Sequence, residues 1–489
     1  MHKFLGMMII TCGLFACGSS DSEKENQTPI NDSTQFTQLR DTIKSDLANN
    51  NAAAVSVAIY QNGEIVFAEA FGEKIKGNGE PPTPNTLFQM GSTTKMFTGL
   101  ATLQFIQQGM LSTQDKLVNT LPEIQYPAAQ TLSWQDVNIQ HLLTHQGGFL
   151  DNYIGSEPNS SLVEYMTSTY PLQNLQMNPP GLFHNYSNPN WSYLGAIIEH
   201  LSHKSFTEHM QQSVFEPLGM QRTSINRNRV ISDGDYALGF QTDGVNEIFI
   251  NNINQIPATP VASPAGSETW STPTEVLKMA DFLLNGNSNI LSEQLRTEIT
   301  APQVNTEFAG LPMHYGYGVF VDDGFMHNDQ WYPEKVWQHG GNTTAYTSLF
   351  WILPEKNIAV SIMSSGAYNN FEASMITALN AVIELPIAQA IPVTESNPDL
   401  YEKHAGTYNF NIGQFTLIVN QENDQLNITI PELDASNAPY EKTLTAIGDK
   451  TFIAVIENEE LIITFLPENA DGESVYMRHR NLVGIKDGY

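Results

Sequence analysis

Phe88-Gln89-Met90-Gly91-Ser92-Thr93-Thr94-Lys95-Met96-Phe97 is the stretch that decides the reading of this chain. It reads as a loop delivering a serine to the start of a buried helix. Ser92 and Lys95 are three positions apart, so on a helix they share one face. Leu100, Leu103, Phe105 and Ile106 continue at helical spacing, and Gly109 supplies a stop. A serine at a helix start lies at the positive end of the macrodipole, which favours a developing alkoxide. A lysine one turn on, held among apolar neighbours, loses its proton more easily and can act as a base near neutral pH. The pair therefore reads as a Ser-x-x-Lys acyl-transfer site. The competing reading makes Ser92 a helix cap and Lys95 a solvated charge. Against it, Lys95 is the one lysine in the chain with a serine three residues before it. The helix that follows is also apolar on most sides, where an unpaired lysine is costly.

At 489 residues the chain is long for a single core, and two or three domains are expected. Its formal net charge of −30 comes from 22 Lys+Arg against 52 Asp+Glu. Such a surface repels nucleic acid and anionic membranes, so neither is expected as a partner. His2 and Lys3 precede an apolar run, Phe4 to Phe15, too short to span a bilayer. The run ends in Leu14-Phe15-Ala16-Cys17, which resembles the lipobox of bacterial lipoproteins and implies lipidation of Cys17. The alternative is a plain signal peptide cut near Ala16. A polar stretch to residue 34 then reads as a flexible tether. The only cysteines are Cys12 and Cys17, so the mature chain has no disulfide, thiol nucleophile or thiolate metal site.

In chain order, the pattern predicts a helix from Phe36 to Leu47. A hairpin of Ala54–Tyr60 and Ile65–Ala70 follows, turning at Asn62-Gly63. Residues 110–300 read as helical and loop-rich, with helices at Ile139–Leu143, Trp191–His200 and Thr274–Leu284. Strands return at Gly316–Phe320, Val336–Gln338, Thr347–Leu353 and Ile358–Ser364, with a closing helix at Phe371–Ile383. Strands at both flanks predict an α+β unit, one antiparallel sheet flanked by helices and carrying a helical insertion. After a polar linker the period changes to two, predicting a small all-β unit, barrel or sandwich, with no catalytic cluster of its own. The expected boundaries are leader 1–17, tether 18–34, catalytic unit 35–388, linker 389–398 and β unit 399–489.

Three further features bear on chemistry. His141 and His145 are four apart, which raises a metal site, but the glutamate of a His-Glu-x-x-His motif is absent and structural histidines are the expectation. Tyr186 and Asn188 sit in a proline-flanked loop, two apart on what reads as extended chain, so both can face one cleft. His339-Gly340-Gly341 directly precedes an apolar strand, where missing side chains let a substrate backbone approach the edge.

In this order, Ser92-x-x-Lys95, Tyr186-x-Asn188 and His339-x-Gly341 resemble the motifs of the serine β-lactamase and penicillin-binding-protein-like superfamily. The likeness is closest to its class C, D-peptidase and esterase branch and covers roughly residues 35–385. It implies an acyl-enzyme on Ser92, with Lys95 and Tyr186 sharing the proton transfer in an order left open. It further implies that Asn188 orients Lys95 and the substrate amide, and that the backbone N–H groups of Ser92 and Asn342 form an oxyanion hole. His339 stands where many relatives carry a lysine facing the substrate carboxylate. A histidine is less reliably cationic, which favours a peptidase, amidase or esterase over a strong β-lactamase. The C-terminal unit resembles the lipocalin-like domains appended to some relatives, where they shape access. No cofactor is implied, and a small-molecule or peptide substrate is. The opposing reading is a non-catalytic cell-envelope sensor with the same fold.

Overall fold

The computed structural model describes residues 34–489 apart from 126–133, 153–160, 174–175, 243–246, 308–310, 393–395, 411–414, 469–471 and 481. The leader with Cys17, and the tether up to residue 33, lie outside the described residues.

The Ala54–Gln61 strand explains the main sheet. It carries β-branched Val55, Val57 and Ile59 on one face and small or aromatic residues on the other, and is buried on both faces, as expected of a strand covered on both sides. Val55, Val57 and Ile59 pack with Leu39 and Ile43 of the Thr37–Asn49 helix and Met375 and Leu379 of the Glu372–Asn380 helix. Ala54, Ala58 and Tyr60 point to the other face, toward the Pro273–Asn285 helix and the body of the insertion. The alternation of faces follows from the period of two.

Eight antiparallel strands run in the order Glu64–Gly72, Ala54–Gln61, Ile358–Ser364, Thr347–Leu353, Val336–Asn342, Phe320–Asp322, Met313–Tyr315, Val304–Asn305. The first hairpin of the chain is thus stitched to the last strand of the unit, Val55 opposite Ser364 and Gln61 opposite Ile358. Between them the chain supplies the remaining strands of the sheet and a helical insertion packed on one of its faces. The Thr94–Gln107 helix is buried along most of its length, and its Phe97 ring meets Phe215 edge-on at 5.8 Å.

The expected Gly316–Phe320 strand is a turn between two short strands. Gly316 N–H closes it onto Val319 O at 2.8 Å. Gly318 sits at φ +91°, where a Cβ would fall 2.5 Å from Lys95 O. The stretch is shaped to press its backbone on the Ser92 helix rather than to extend a ladder. The helix predicted to begin at Trp191 begins at Asn188, with Ser187 as its cap residue and Pro189 in its first turn. Asn188 is therefore a helical residue, and only Tyr186 stays on the loop.

The C-terminal unit is a second eight-stranded antiparallel sheet. Its order is Gln425–Thr429, Thr416–Glu422, Gly406–Phe410, Leu482–Lys486, Ser474–His479, Glu459–Glu468, Thr451–Ile456, Thr445–Ala446. It curls until its two ends meet, with Ile428 N–H on Lys442 O at 2.6 Å and Leu444 N–H on Leu426 O at 2.9 Å. Tyr408, Phe452, Phe465 and Met477 fill the curl. Its Leu466 and Val483 belong to the core of the catalytic unit instead, and Tyr476 packs edge-on against Phe183 at 5.6 Å. Arg478, buried among them, donates to the carbonyls of His184, Thr306 (3.0 Å) and Glu307 (3.0 Å). No helix among the described residues is long and apolar enough to cross a membrane.

Candidate active site

A short 3₁₀ turn, Gly91–Thr93, runs straight into the Thr94–Gln107 helix, so Ser92 stands at a helix N-terminus with Lys95 one turn below. The turn is pinned to the sheet. Ser348 Oγ donates to Met90 O at 2.7 Å, and the Thr93 and Ser348 hydroxyls are 2.9 Å apart. A Cβ at Gly341 would lie 2.1 Å from Met90 O and 2.8 Å from Ser92 N, so the close approach of strand and loop requires glycine there.

Lys95 is fully buried, and its Nζ has three neighbours: Ser92 Oγ at 3.0 Å, Asn188 Oδ1 at 2.7 Å and Ala265 O at 3.1 Å. Burial drives its pKa well below the ordinary lysine value. Asp151 opposes that shift and Arg480 reinforces it. Nζ also lies 4.8 Å from the centre of the Tyr186 ring, and the Tyr186 hydroxyl is within hydrogen-bonding reach of Ser92. Burial holds the phenol protonated by raising its pKa, while the Ser92 hydrogen bond and Arg480 oppose the shift. Tyr186 stacks on His145 with ring centres 4.1 Å apart.

The Val336–Asn342 strand forms the cleft wall. Thr343 N–H bonds Tyr346 O, so by the alternation of an antiparallel ladder the N–H of Asn342 points to the opposite edge. On that edge the neighbouring strand reaches only from Val336 to Gln338. The edge from His339 to Asn342 is therefore free of a ladder partner. A Cβ built on Gly91 would lie 2.9 Å from Asn342 N. The backbones around Ser92 and Asn342 thus approach each other closely where strand and loop cross. The Asn342 side chain accepts from Thr347 Oγ1 at 2.9 Å and Tyr368 N–H at 3.2 Å.

His339 departs from the picture of a cleft-facing cation. Its ring is 2% exposed, with Nδ1 2.6 Å from Gly340 O and Nε2 3.2 Å from Tyr315 Oη. Burial, followed by the charge of Lys95, pushes its pKa down to about 3, so it is neutral. His141 caps its own helix through Asn138, and His145 Nε2 accepts from Trp191 Nε1 at 2.9 Å. Among the described residues no group of three His, Cys, Asp or Glu side chains could hold a metal ion.

The seven positions singled out in the sequence, Ser92, Lys95, Tyr186, Asn188, His339, Gly341 and Asn342, come together around this one crossing. Three groups were missed. Ala265 O is a backbone atom that any residue supplies. Asp151, buried, takes Asn188 N–H on Oδ1 at 2.9 Å and Arg480 Nη2 on Oδ2 at 3.0 Å. Arg480 comes from the C-terminal unit, which the sequence reading left without a site. The basic triplet Arg478-His479-Arg480 in so acidic a chain was the available signal.

The sequence matches the Beta-lactamase family over residues 39–384. It is 24% identical over 353 residues to "Protein flp" of Staphylococcus aureus (strain NCTC 8325 / PS 47), covering 68% of this chain and 64% of that protein's length. Among solved structures, "Crystal structure of SurE with D-Leu" superposes with a TM-score of 0.69 at 20% identity, over 93% of this chain and 100% of that one. The D-amino acid amidase of Ochrobactrum anthropi SV3, complexed with L-phenylalanine amide, does so with a TM-score of 0.57 at 20% identity, over 71% of this chain and 99% of that one. The family match spans most of the chain and includes Ser92, Lys95, Tyr186, Asn188 and the Val336–Asn342 strand, though not Arg480; the chain belongs to the Beta-lactamase family.

Proposed function

We propose that the protein cleaves amides or esters of D-amino-acid type through an acyl-enzyme on Ser92. The observation that carries this is the Lys95 amine, buried at 3.0 Å from Ser92 Oγ with two fixed acceptors, Asn188 Oδ1 and Ala265 O. A neutral amine has two N–H groups and one lone pair. The two acceptors take the N–H groups, which turns the lone pair to the serine hydroxyl.

In this reading Ser92 Oγ attacks the carbonyl carbon while its proton passes to Lys95 Nζ. The N–H groups of Ser92 and Asn342 hold the oxyanion. The proton then reaches the leaving amine or alcohol, directly or through the Tyr186 hydroxyl, as the scissile bond breaks. Water attacks the acyl ester by the reverse relay and restores Ser92. The D-amino-acid class is supported by the amidase and by the SurE structure that holds D-Leu. A fluorophosphonate is expected to label Ser92, as mapped by mass spectrometry; labelling that persists in Ser92→Ala overturns the reading.

The protein is further read as exported and tethered by lipid on Cys17, with the curled C-terminal sheet a lipocalin-like unit over the cleft. In a bacterial host, incorporation of labelled palmitate should disappear in Cys17→Ala. Equal incorporation by both forms rejects the anchor.

A further inference from the structure

We propose that Arg480, supplied by the C-terminal sheet, is the residue that receives a substrate carboxylate at this active site. The proposal rests on Ser92 being the nucleophile.

Placement comes first. Arg480 sits at the turn joining the Ser474–His479 and Leu482–Lys486 strands. Its guanidinium carbon lies 4.9 Å from the centre of the Tyr186 ring, the ring that also lies 4.8 Å from Lys95 Nζ. It acts electrostatically on Lys95, Tyr186 and Tyr368, which places it among the groups around the nucleophile.

The side chain is also held. Asp151 grips Nη2 through one oxygen while its other oxygen fixes the N–H of Asn188, the residue that contacts Lys95. Two residues back, buried Arg478 clamps the end of the same strand onto the carbonyls of His184 and Thr306.

The guanidinium is nevertheless available. Its side chain is 55% exposed, whereas that of Asp151 is 8% exposed. A planar fork with one edge engaged can still present N–H groups to a second carboxylate, the geometry for which arginine is suited. Tyr368, half exposed and at φ +55°, is tied to Asn342 through its own N–H and forms the adjoining wall.

Among the described residues, the other candidate cations at the site are neutral or already engaged. His339, the cleft position read from the sequence as facing a carboxylate, is neutral and turned onto Tyr315 and Gly340. Lys95 is committed to Ser92, Asn188 and Ala265. A guanidinium keeps its charge at any pH at which a hydrolase works. With a net charge of −30 over the chain, an anionic substrate is repelled by the protein at large and needs one fixed cation where it docks.

The test uses the full chain and two activated thioesters, N-acetyl-D-alanyl thioglycolate and its primary amide, with thiol release followed continuously. Wild type should prefer the acid. In Arg480→Ala the acid-over-amide ratio of kcat/KM should fall about tenfold or more. In Arg480→Glu the preference should invert, and Arg480→Lys should keep part of it; melting temperatures control for folding. A ratio within twofold of wild type in both the Ala and Glu variants makes Arg480 only a latch on Asp151 and overturns the proposal. So does a wild type that takes fluorophosphonate on Ser92 yet has no acid preference or turns over neither thioester. A wild type that takes no fluorophosphonate on Ser92 sinks the acyl-enzyme reading as well.

Discussion

The two sheets meet Ser92 in opposite ways. The main sheet meets it backbone to backbone: Gly341 lies so near Met90 O and Ser92 N that no side chain fits between them. The C-terminal sheet meets it through two long side chains, Arg478 buried on loop carbonyls and Arg480 extended over Tyr186. Backbone contact fixes where Ser92 and Asn342 stand. Side-chain contact sets charge and access. The first interface should be intolerant of an added atom and the second of a removed one.

Gly341→Ala is the sharpest way to break that contrast. The new methyl group would collide with Met90 O and Ser92 N and force loop and strand apart. Misplacement of reacting groups by about 1 Å costs on the order of a hundredfold in rate. The rate of fluorophosphonate inactivation should fall by about that factor or more. A rate within threefold of wild type would mean that the crossing is not held by backbone contact.

Arg478→Leu is the complementary deletion and should act on stability first. The carbonyls of His184, Thr306 and Glu307 would lose their donor in a buried place. Leaving buried acceptors unmade costs roughly 1–3 kcal/mol, readable in urea denaturation. Because His184 lies two residues before Tyr186, the catalytic loop should loosen as well, so fluorophosphonate inactivation should slow together with the loss of stability. Unchanged stability would mean that the second sheet is only leaning on the first.

The same contrast explains what could be read without coordinates. Ser92 and Lys95 were legible because one helical turn is a local spacing. The strands Thr347–Leu353 and Ile358–Ser364 were legible because they are apolar runs around a Pro354 turn. Gly316–Phe320 misled because its apolar residues serve a turn pressed on the Ser92 helix, where Gly318 is needed for backbone shape. Asn188 was placed on a loop because Pro189 looked like a breaker, yet in the first helical turn proline is tolerated. Arg480 was marked only by the basic triplet 478–480, and Asp151 by nothing. Their ion pair spans 329 residues of chain, and no periodicity or short motif records a partnership made by the docking of two sheets.

The smallest expected effect separates the two units most finely, because each supplies one charge to the same amine. With Lys95 as the proposed base, only its unprotonated form can act, so activity should rise with pH through its pKa and level off above it. Asp151, from the catalytic unit, raises that pKa, and Arg480, from the C-terminal unit, lowers it. Asp151→Asn keeps an acceptor for Asn188 N–H while losing the charge, so it should move the acidic limb to lower pH. Arg480→Ala should move it to higher pH. For groups at the edge of a cleft, partly screened by solvent, each shift should be a fraction of a unit to about one unit. The double variant should lie between the two single ones, since the charges of an ion pair cancel at a distance. The pH dependence of fluorophosphonate inactivation reads all three. Shifts of the same sign would show that the two residues act by holding the loop together rather than through their fields, and the contrast between a backbone-built and a charge-tuned interface would then fail at its weakest point.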